Sequence, residues 1–254
     1  LKHLVIPDSH VKPGQNLRRY AWAAQWAVDQ RADVIIDMGD WADMPSLSSY
    51  DKGKKSFEGR RYSKDVQAAR DARETFNNII KDHNRKYPKD QYTPRKVALG
   101  GNHCEGRIRR VIEDEPMLDG VIHWRDLGAE DYGWEYVPFQ QAIGINGIQY
   151  CHYFPSGVMN RPIGGIHPAA SLLQKLFVSC TAGHNHTRDF SERTRADGRK
   201  ICGLMSGCFF EHNEGYAGAA QQLWWRGLVM CNDVNQGFYD PEFKRITTLQ
   251  KEYS

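Results

Sequence analysis

The 254-residue sequence has only six cysteines, irregularly spaced as Cys104, Cys151, Cys180, Cys202, Cys208 and Cys231, with no CxxC pair among them. That spacing lacks the dense framework small secreted domains need, so free thiols in a reducing cytosol are expected. No stretch approaches the roughly 18 apolar residues of a membrane helix, and no membrane association is expected. Internal repeats, low-complexity tracts and Pro-, Gly- or Ser-rich linkers are also missing, which leaves one domain over residues 1–254 as the expected organisation. Neither sign of charge dominates: 34 Lys and Arg stand against 31 Asp and Glu. Global charge therefore permits a nucleic-acid partner without arguing for one. The opening run Leu4-Val5-Ile6 has no basic or long apolar region of a signal peptide before it. A cytoplasmic location is the expectation, while a start at Leu1 rather than Met is equally compatible with a leader removed upstream.

What is present suffices for a core: 40% of residues are hydrophobic, with seven Trp and twelve Tyr. Short β-rich runs recur, each ending in a polar cluster: Leu4 to Ile6 before Asp8, Val34 to Met38 before Asp40, Val97 to Leu99 before Asn102, and Ile148 to Tyr150 before His152. Leu17, Tyr20, Ala21, Ala24 and Val28 recur at helical spacing within Asn16 to Gln30, so the opening reads as a strand, helix, strand unit. Further helices are predicted from about Lys64 to His83 and Pro168 to Phe177, and the final third reads mostly as strands and turns.

Five polar clusters follow the apolar runs: Asp8-Ser9-His10, Gly39-Asp40 with Asp43, Gly101-Asn102-His103, His152, and Gly183-His184-Asn185-His186. Each alone has an ordinary structural explanation. Asp8 can cap a turn beside a solvated His10, and His152 can be a hydrogen-bonded, semi-buried histidine. His184 and His186, two apart in an extended segment, point the same way, which favours a shared metal but also arises by chance. Their joint occurrence after strands points to a site.

In that order the clusters resemble the calcineurin-like metallophosphoesterase family, whose pattern is D-x-H, G-D-x-x-D, G-N-H-(D/E), a lone His and G-H-x-H; the match spans residues 8 to 186. Residues Gly39 through Tyr62 also look like bacteriophage-encoded members. The resemblance implies an α/β fold, a four-layer α/β/β/α sandwich of two mixed sheets flanked by helices. It implies two divalent metal ions, one held by Asp8, His10, Asp40 and His186, the other by Asp40, Asn102, His152 and His184. Mn is the first choice, with Fe and Zn compatible with the same carboxylate, imidazole and amide donors. It further implies a general acid, His103, oriented by Asp43, and glycines at 39, 101 and 183 that let the backbone turn. The activity implied is hydrolysis of a phosphate ester by metal-activated hydroxide, and a phosphodiester of nucleic acid or a nucleotide is the first expectation. A phosphomonoesterase on phosphoprotein or small molecules is the alternative, and a scaffold without catalysis a third reading. Oligomeric state has no sequence signature.

Two departures matter. Cys104 separates His103 from Glu105, which is given no role, and Met44 stands where protein Ser/Thr phosphatases carry an Arg. Arg107, Arg109 and Arg110 are candidates to replace that clamp, or simply the solvated face of a helix. Residues 44 to 95 read as a basic insertion over the site; within residues 51–64, Lys52, Lys54, Lys55, Arg60, Arg61 and Lys64 face only Asp51 and Glu58. With Tyr50, Phe57 and Tyr62 interleaved, the segment suits phosphate neutralisation plus base stacking, or is only a solvated loop. Substrate choice is expected in loops 44–64, 105–125, 153–167 and 209–218.

Overall fold

Strand β1 (His3–Ile6) is buried on both faces, as expected of a strand inside a layered α/β fold. Leu4 and Ile6 face one core, Val5 the opposite one. The structure is a computed structural model describing residues 1–214 and 217–254.

β1 pairs in parallel with β2 (Val34–Asp37), β2 with β3 (Arg95–Leu99), and β3 with β4 (Glu135–Val137). β12 (Gly227–Asn235) joins β1 antiparallel, and β13 (Phe238–Arg245) closes that edge. This sheet has the order β13-β12-β1-β2-β3-β4. A second sheet runs β10-β11-β9-β6-β5. Its strands are β5 (Ile143–Ile145), β6 (Ile148–Cys151), β9 (Ser179–Ala182), β10 (Arg188–Thr194) and β11 (Lys200–Ser206). A small hairpin of β7 (Pro155–Ser156) and β8 (Arg161–Pro162) lies beside it.

The register sets the layers. Val5 pairs with Ile36, Ile36 with Val97, and Val5 also with Val229. All four point into a core shared with Ile148, Tyr150, Cys202 and Leu204 of the second sheet. The alternate residues Leu4, Ile35 and Met230 face outward, where α1 (Arg18–Gln30), α2 (Tyr62–Lys86) and α5 (Ile246–Tyr253) cover them. On the far side α4 (Pro168–Leu176) buries Leu172 and Leu173 against Cys180, Ala182 and Met205. The chain is thus a four-layer α/β/β/α sandwich of two mixed sheets flanked by helices, as expected.

The helix predicted over 64–83 extends to Tyr62–Lys86, and its Ala68, Ala69, Ala72, Phe76 and Ile80 are buried against the first sheet. Helix α5 was not anticipated in a final third read as strands and turns; Ile246 and Leu249 form it by packing on the outer core. All six cysteines are free and buried. Among the described residues, no helix is long and apolar enough to cross a membrane.

His3 ties the two sheets together. Fully buried, its ring bonds the Tyr150 hydroxyl at 2.8 Å and Asn146 Oδ1 at 3.0 Å. Burial pushes its pKa down to about 4, with Asn146 opposing. Because the unfolded chain takes up this proton near pH 6.5 and the folded one only near pH 4, stability present above pH 6.5 is lost as pH falls between them. His3→Gln is expected to flatten that loss by on the order of 2–3 kcal/mol, read from urea unfolding at pH 7 and pH 4.5. An identical pH dependence in the two proteins would rule the linkage out.

Candidate metal centre

Every candidate metal ligand, with His103 and Asp43, lies beyond the carboxyl end of a parallel strand, where α/β sheets place their ligand sites. Asp8 and His10 follow β1, Asp40 and Asp43 follow β2, and Asn102 and His103 follow β3; His152 follows β6, and His184 and His186 follow β9. Because β1, β2 and β3 are neighbours in one sheet and β6 and β9 in the other, the five loops meet at one edge of the sandwich.

The backbone there is unusual. His10, Asp40, His184 and His186 adopt left-handed φ of 42°, 49°, 67° and 58°. Each such non-glycine residue costs about 1–3 kcal/mol, a cost concentrated at functional sites and held only by surrounding bonds. Here the His10 amide donates to the Asp40 carbonyl at 2.9 Å, and the His184 amide to Asp8 Oδ2 at 3.0 Å. Gly39, with φ of 94°, makes the turn its residue type suggests. Gly101 and Gly183 have no left-handed φ, so their glycine is required by space and not by turning. An added Cβ would sit 2.1 Å from Asp40 Oδ1 at Gly101 and 2.3 Å from Asp8 Oδ1 at Gly183. Beneath the turn, Asp37 accepts from the Gly39 amide at 3.0 Å and pairs with buried Arg73 of α2. The Arg73 guanidinium lies 3.8 Å over the Trp41 ring.

Two groups of donors emerge. Asp8, His10 and His186 form one, and Asp40, His152 and His184 the other, each with ligand atoms within 4.8 Å of one another. Asn102 Oδ1 lies 2.8 Å from both His152 Nε2 and His184 Nδ1, within the second group. Asp40 Oδ2 stands between the groups, 3.7 Å from His10 Nε2 and 3.3 Å from His152 Nε2. Asp8 Oδ2 is 3.2 Å from His186 Nε2 and 3.9 Å from His10 Nε2. Atoms bound about 2.0–2.2 Å from a common ion lie roughly 3–3.5 Å apart, close to these separations.

The chemistry of the donors fits a cation. His10 is fully buried, yet among the described residues neither of its ring nitrogens has a hydrogen-bond partner. Such an orphan is costly unless something else occupies it. His152 Nδ1 donates to the Met38 carbonyl at 2.9 Å, leaving Nε2 to face the Asp40 carboxylate, the tautomer that a metal ligand requires. Without a metal the carboxylates draw protons instead. Burial opposes charging of His10, but Asp40 and Asp43 raise its pKa to about 10; Asp40 and Asp8 likewise overcome burial and raise His152 to about 9. His184 moves down to about 4, by burial and by the charge of His152.

His103 sits at the open side. Its ring Nδ1 is 2.6 Å from Asp43 Oδ1, and its amide donates to Asp40 Oδ1 at 2.7 Å. Burial and the nearby His10 charge lower its pKa. Asp43 also receives Lys12 Nζ at 3.2 Å, and Arg107 of α3 (Arg107–Asp114) bonds the carbonyls of Asp43 and Met44. Arg107 therefore braces the Asp43 loop, while Arg109 pairs with Glu105.

Several participants were not legible in the sequence. Glu105, given no role, is fully buried and accepts from the Tyr136 hydroxyl at 2.6 Å and the Phe139 amide at 2.7 Å. Asn102–Gly106 is a π-type turn closed by a Gly106 to Gly101 bond of 2.9 Å. That extra residue per turn absorbs Cys104 and lets Glu105 reach inward. Glu214 joins the site through Lys12 Nζ at 2.5 Å and His212 Nε2 at 2.7 Å, and it groups with His10 and Asp43 as a further donor set. Phe210 and Trp224 wall His186, with ring centroids 5.2 Å and 4.7 Å away. In the 209–218 loop, positions 215 and 216 lie outside the described residues.

No family model matches the chain, and no curated protein sequence does. Among solved structures, one described as a novel archaeal phosphodiesterase is similar, with 12% sequence identity, coverage of 96% of this chain and 100% of that chain, and a TM-score of 0.44. Site geometry, not this likeness, carries the chemistry: clusters of buried His and Asp side chains able to hold metal ions lie at one edge of an α/β/β/α sandwich.

Proposed function

We propose that the chain is a metal-dependent phosphodiesterase that cleaves nucleic-acid or nucleotide phosphodiesters. The observation that carries this reading is Asp40, a buried carboxylate facing two groups of His and Asp donors, one of which contains His10, buried with no hydrogen-bond partner among the described residues. Asp8, His10, Asp40 and His186 would hold one ion, and Asp40, Asn102, His152 and His184 the other. Two divalent ions there, Mn first and Fe or Zn next, would supply a hydroxide near neutral pH and neutralise phosphoryl oxygens.

The protein's own groups do the rest. Asp43 holds His103 through Nδ1, so the ring, once protonated against its lowered pKa, would give the proton on Nε2 to the departing oxygen. Asp43 stays ionised, its charge stabilised against burial by His10 and His103, and so accepts the His103 Nδ1–H. Lys12 and Arg107 hold Asp43 in place. The aromatic wall of Phe210 beside His10 and His186 excludes water from that flank.

The test is a comparison of bis(p-nitrophenyl) phosphate with p-nitrophenyl phosphate, with Mn present and after chelation. Faster cleavage of the diester, lost on chelation and restored by Mn, is expected. Cleavage of the monoester alone would make the protein a phosphomonoesterase, and hydrolysis indifferent to chelation would remove the metals from the reaction.

A further inference from the structure

A cavity of about 870 Å³ opens beside the metal centre, with His103 and Asp43 in its wall and residues 45–65 forming its far side. Its size falls within the roughly 300–1,000 Å³ of small-molecule sites. As proton donor to the departing oxygen, His103 would have the leaving group on its own side, so whatever leaves occupies this cavity. That placement rests on the phosphodiesterase reading.

The charges of the basic segment are not equivalent. Arg60 is committed to Asp51 Oδ2 at 2.8 Å and the Pro45 carbonyl at 3.0 Å, and Lys54 to Asp51 Oδ1 at 3.4 Å. Lys52 and Lys55 do not line the cavity. Lys12 is held between Asp43 and Glu214. Arg61 and Lys64 remain: both line the cavity, both are exposed, and among the described residues neither has a carboxylate at ion-pair distance. Arg61 donates only to the neighbouring Arg60 carbonyl, at 2.8 Å.

The aromatics divide the same way. Tyr62 is fastened by its hydroxyl to Asp126 Oδ2 at 2.6 Å, Phe57 lies under the Arg60 guanidinium at 5.5 Å, and neither lines the cavity. Tyr50 lines it and is 79% exposed. One flat ring and two uncommitted cations, set against the exposed carboxylate of Glu58 in the same lining, form a recognition set for a nucleotide: a π-face for a base, point charges for the phosphates that follow.

We propose that this cavity is a leaving-group subsite for single-stranded nucleic acid, in which Arg61 and Lys64 neutralise the phosphates after the scissile one and Tyr50 stacks on a base. A nucleotide chain satisfies all three groups; a phosphoprotein segment satisfies only the cations.

The test replaces Tyr50, Arg61 and Lys64 together by Ser. All three are exposed or on the cavity rim, so the fold should be retained, which circular dichroism checks. Two readouts are taken: kcat/KM with Mn for a pentathymidylate and for bis(p-nitrophenyl) phosphate, and anisotropy of a fluorescent pentathymidylate titrated in EDTA over a salt series. The loss of kcat/KM for the oligonucleotide is expected to exceed that for the small diester by about tenfold or more, from lost stacking and charge. The slope of log affinity on log salt should fall by about 1.4, two contacts at roughly 0.7 each for a single strand. Equal losses on both substrates, or an unchanged slope, overturn the subsite. So does a parent protein that hydrolyses the small diester but does not bind the oligonucleotide at low salt, and the phosphodiesterase reading then stands without it. A parent that hydrolyses neither substrate, yet binds the oligonucleotide with the predicted loss in the variant, keeps the nucleic-acid surface and removes the catalytic reading.

Discussion

Asp40→Asn is expected to lower hydrolysis of bis(p-nitrophenyl) phosphate by on the order of 10³-fold or more, since losing even one preorganised electrostatic contact costs about 10²–10³. Bound metal should fall with it. The substitution keeps the shape and the acceptor for the His103 amide, now at 2.7 Å, so the loop should survive. It removes the carboxylate charge that Asp40 Oδ2 presents to both groups, facing His10 Nε2 and His152 Nε2. With that carboxylate neutral, the repulsion between two dications is compensated by Asp8 alone among the carboxylates assigned as ligands. Metal stoichiometry on the purified variant, beside its turnover, is the measurement. Full occupancy with full activity would show that Asp40 does not bridge.

The second large effect is kinetic. His103→Ala should retain metal and slow cleavage of diesters with poor leaving groups by about 10²–10⁴-fold, the range of a general acid. For p-nitrophenyl esters the loss should be much smaller, because that leaving group departs without a proton. His103 also groups with His10 and Asp40 as a possible donor set, so the same variant separates two roles. Loss of metal would make His103 a ligand. An equal slowing for good and poor leaving groups would count against proton donation, whatever the metal content. The 2.6 Å contact with Asp43 predicts that Asp43→Asn resembles His103→Ala only in part, since the ring stays but loses its anionic partner.

The loop residues were legible because their information is local. Asp8, Asp40, Asn102, His152 and His184 each lie within a few positions of an apolar run, and a strand delivers the side chain that follows it to the sheet's end. The opening strand, helix, strand unit was legible for the same reason, as its apolar period lies within thirty residues. The burial of Glu105 was not legible because it depends on a π-type turn, and no residue period announces one. Tyr62 was counted as a free aromatic face, whereas the first turn of α2 aims it at Asp126, sixty-four positions along the chain. Lys12 and Glu214 gave no signal at all, being brought together across a separation of 202 residues.

Sequence alone therefore determined which residue types could form a metal centre, in what order, and on the ends of which strands. Tertiary structure decided what those residues do to one another. It placed Asp8 against the His184 amide and Asp40 between two donor groups, and it left His10 buried among carboxylates without a hydrogen-bond partner among the described residues. It also decided which cations of the basic segment are spent on Asp51 and which, Arg61 and Lys64, line the cavity with no carboxylate at ion-pair distance among the described residues. The physical reason is one of range. Backbone preference and apolar period act between neighbours along the chain, while charge, desolvation and hydrogen bonding act through space, over distances that only the packed sheets set.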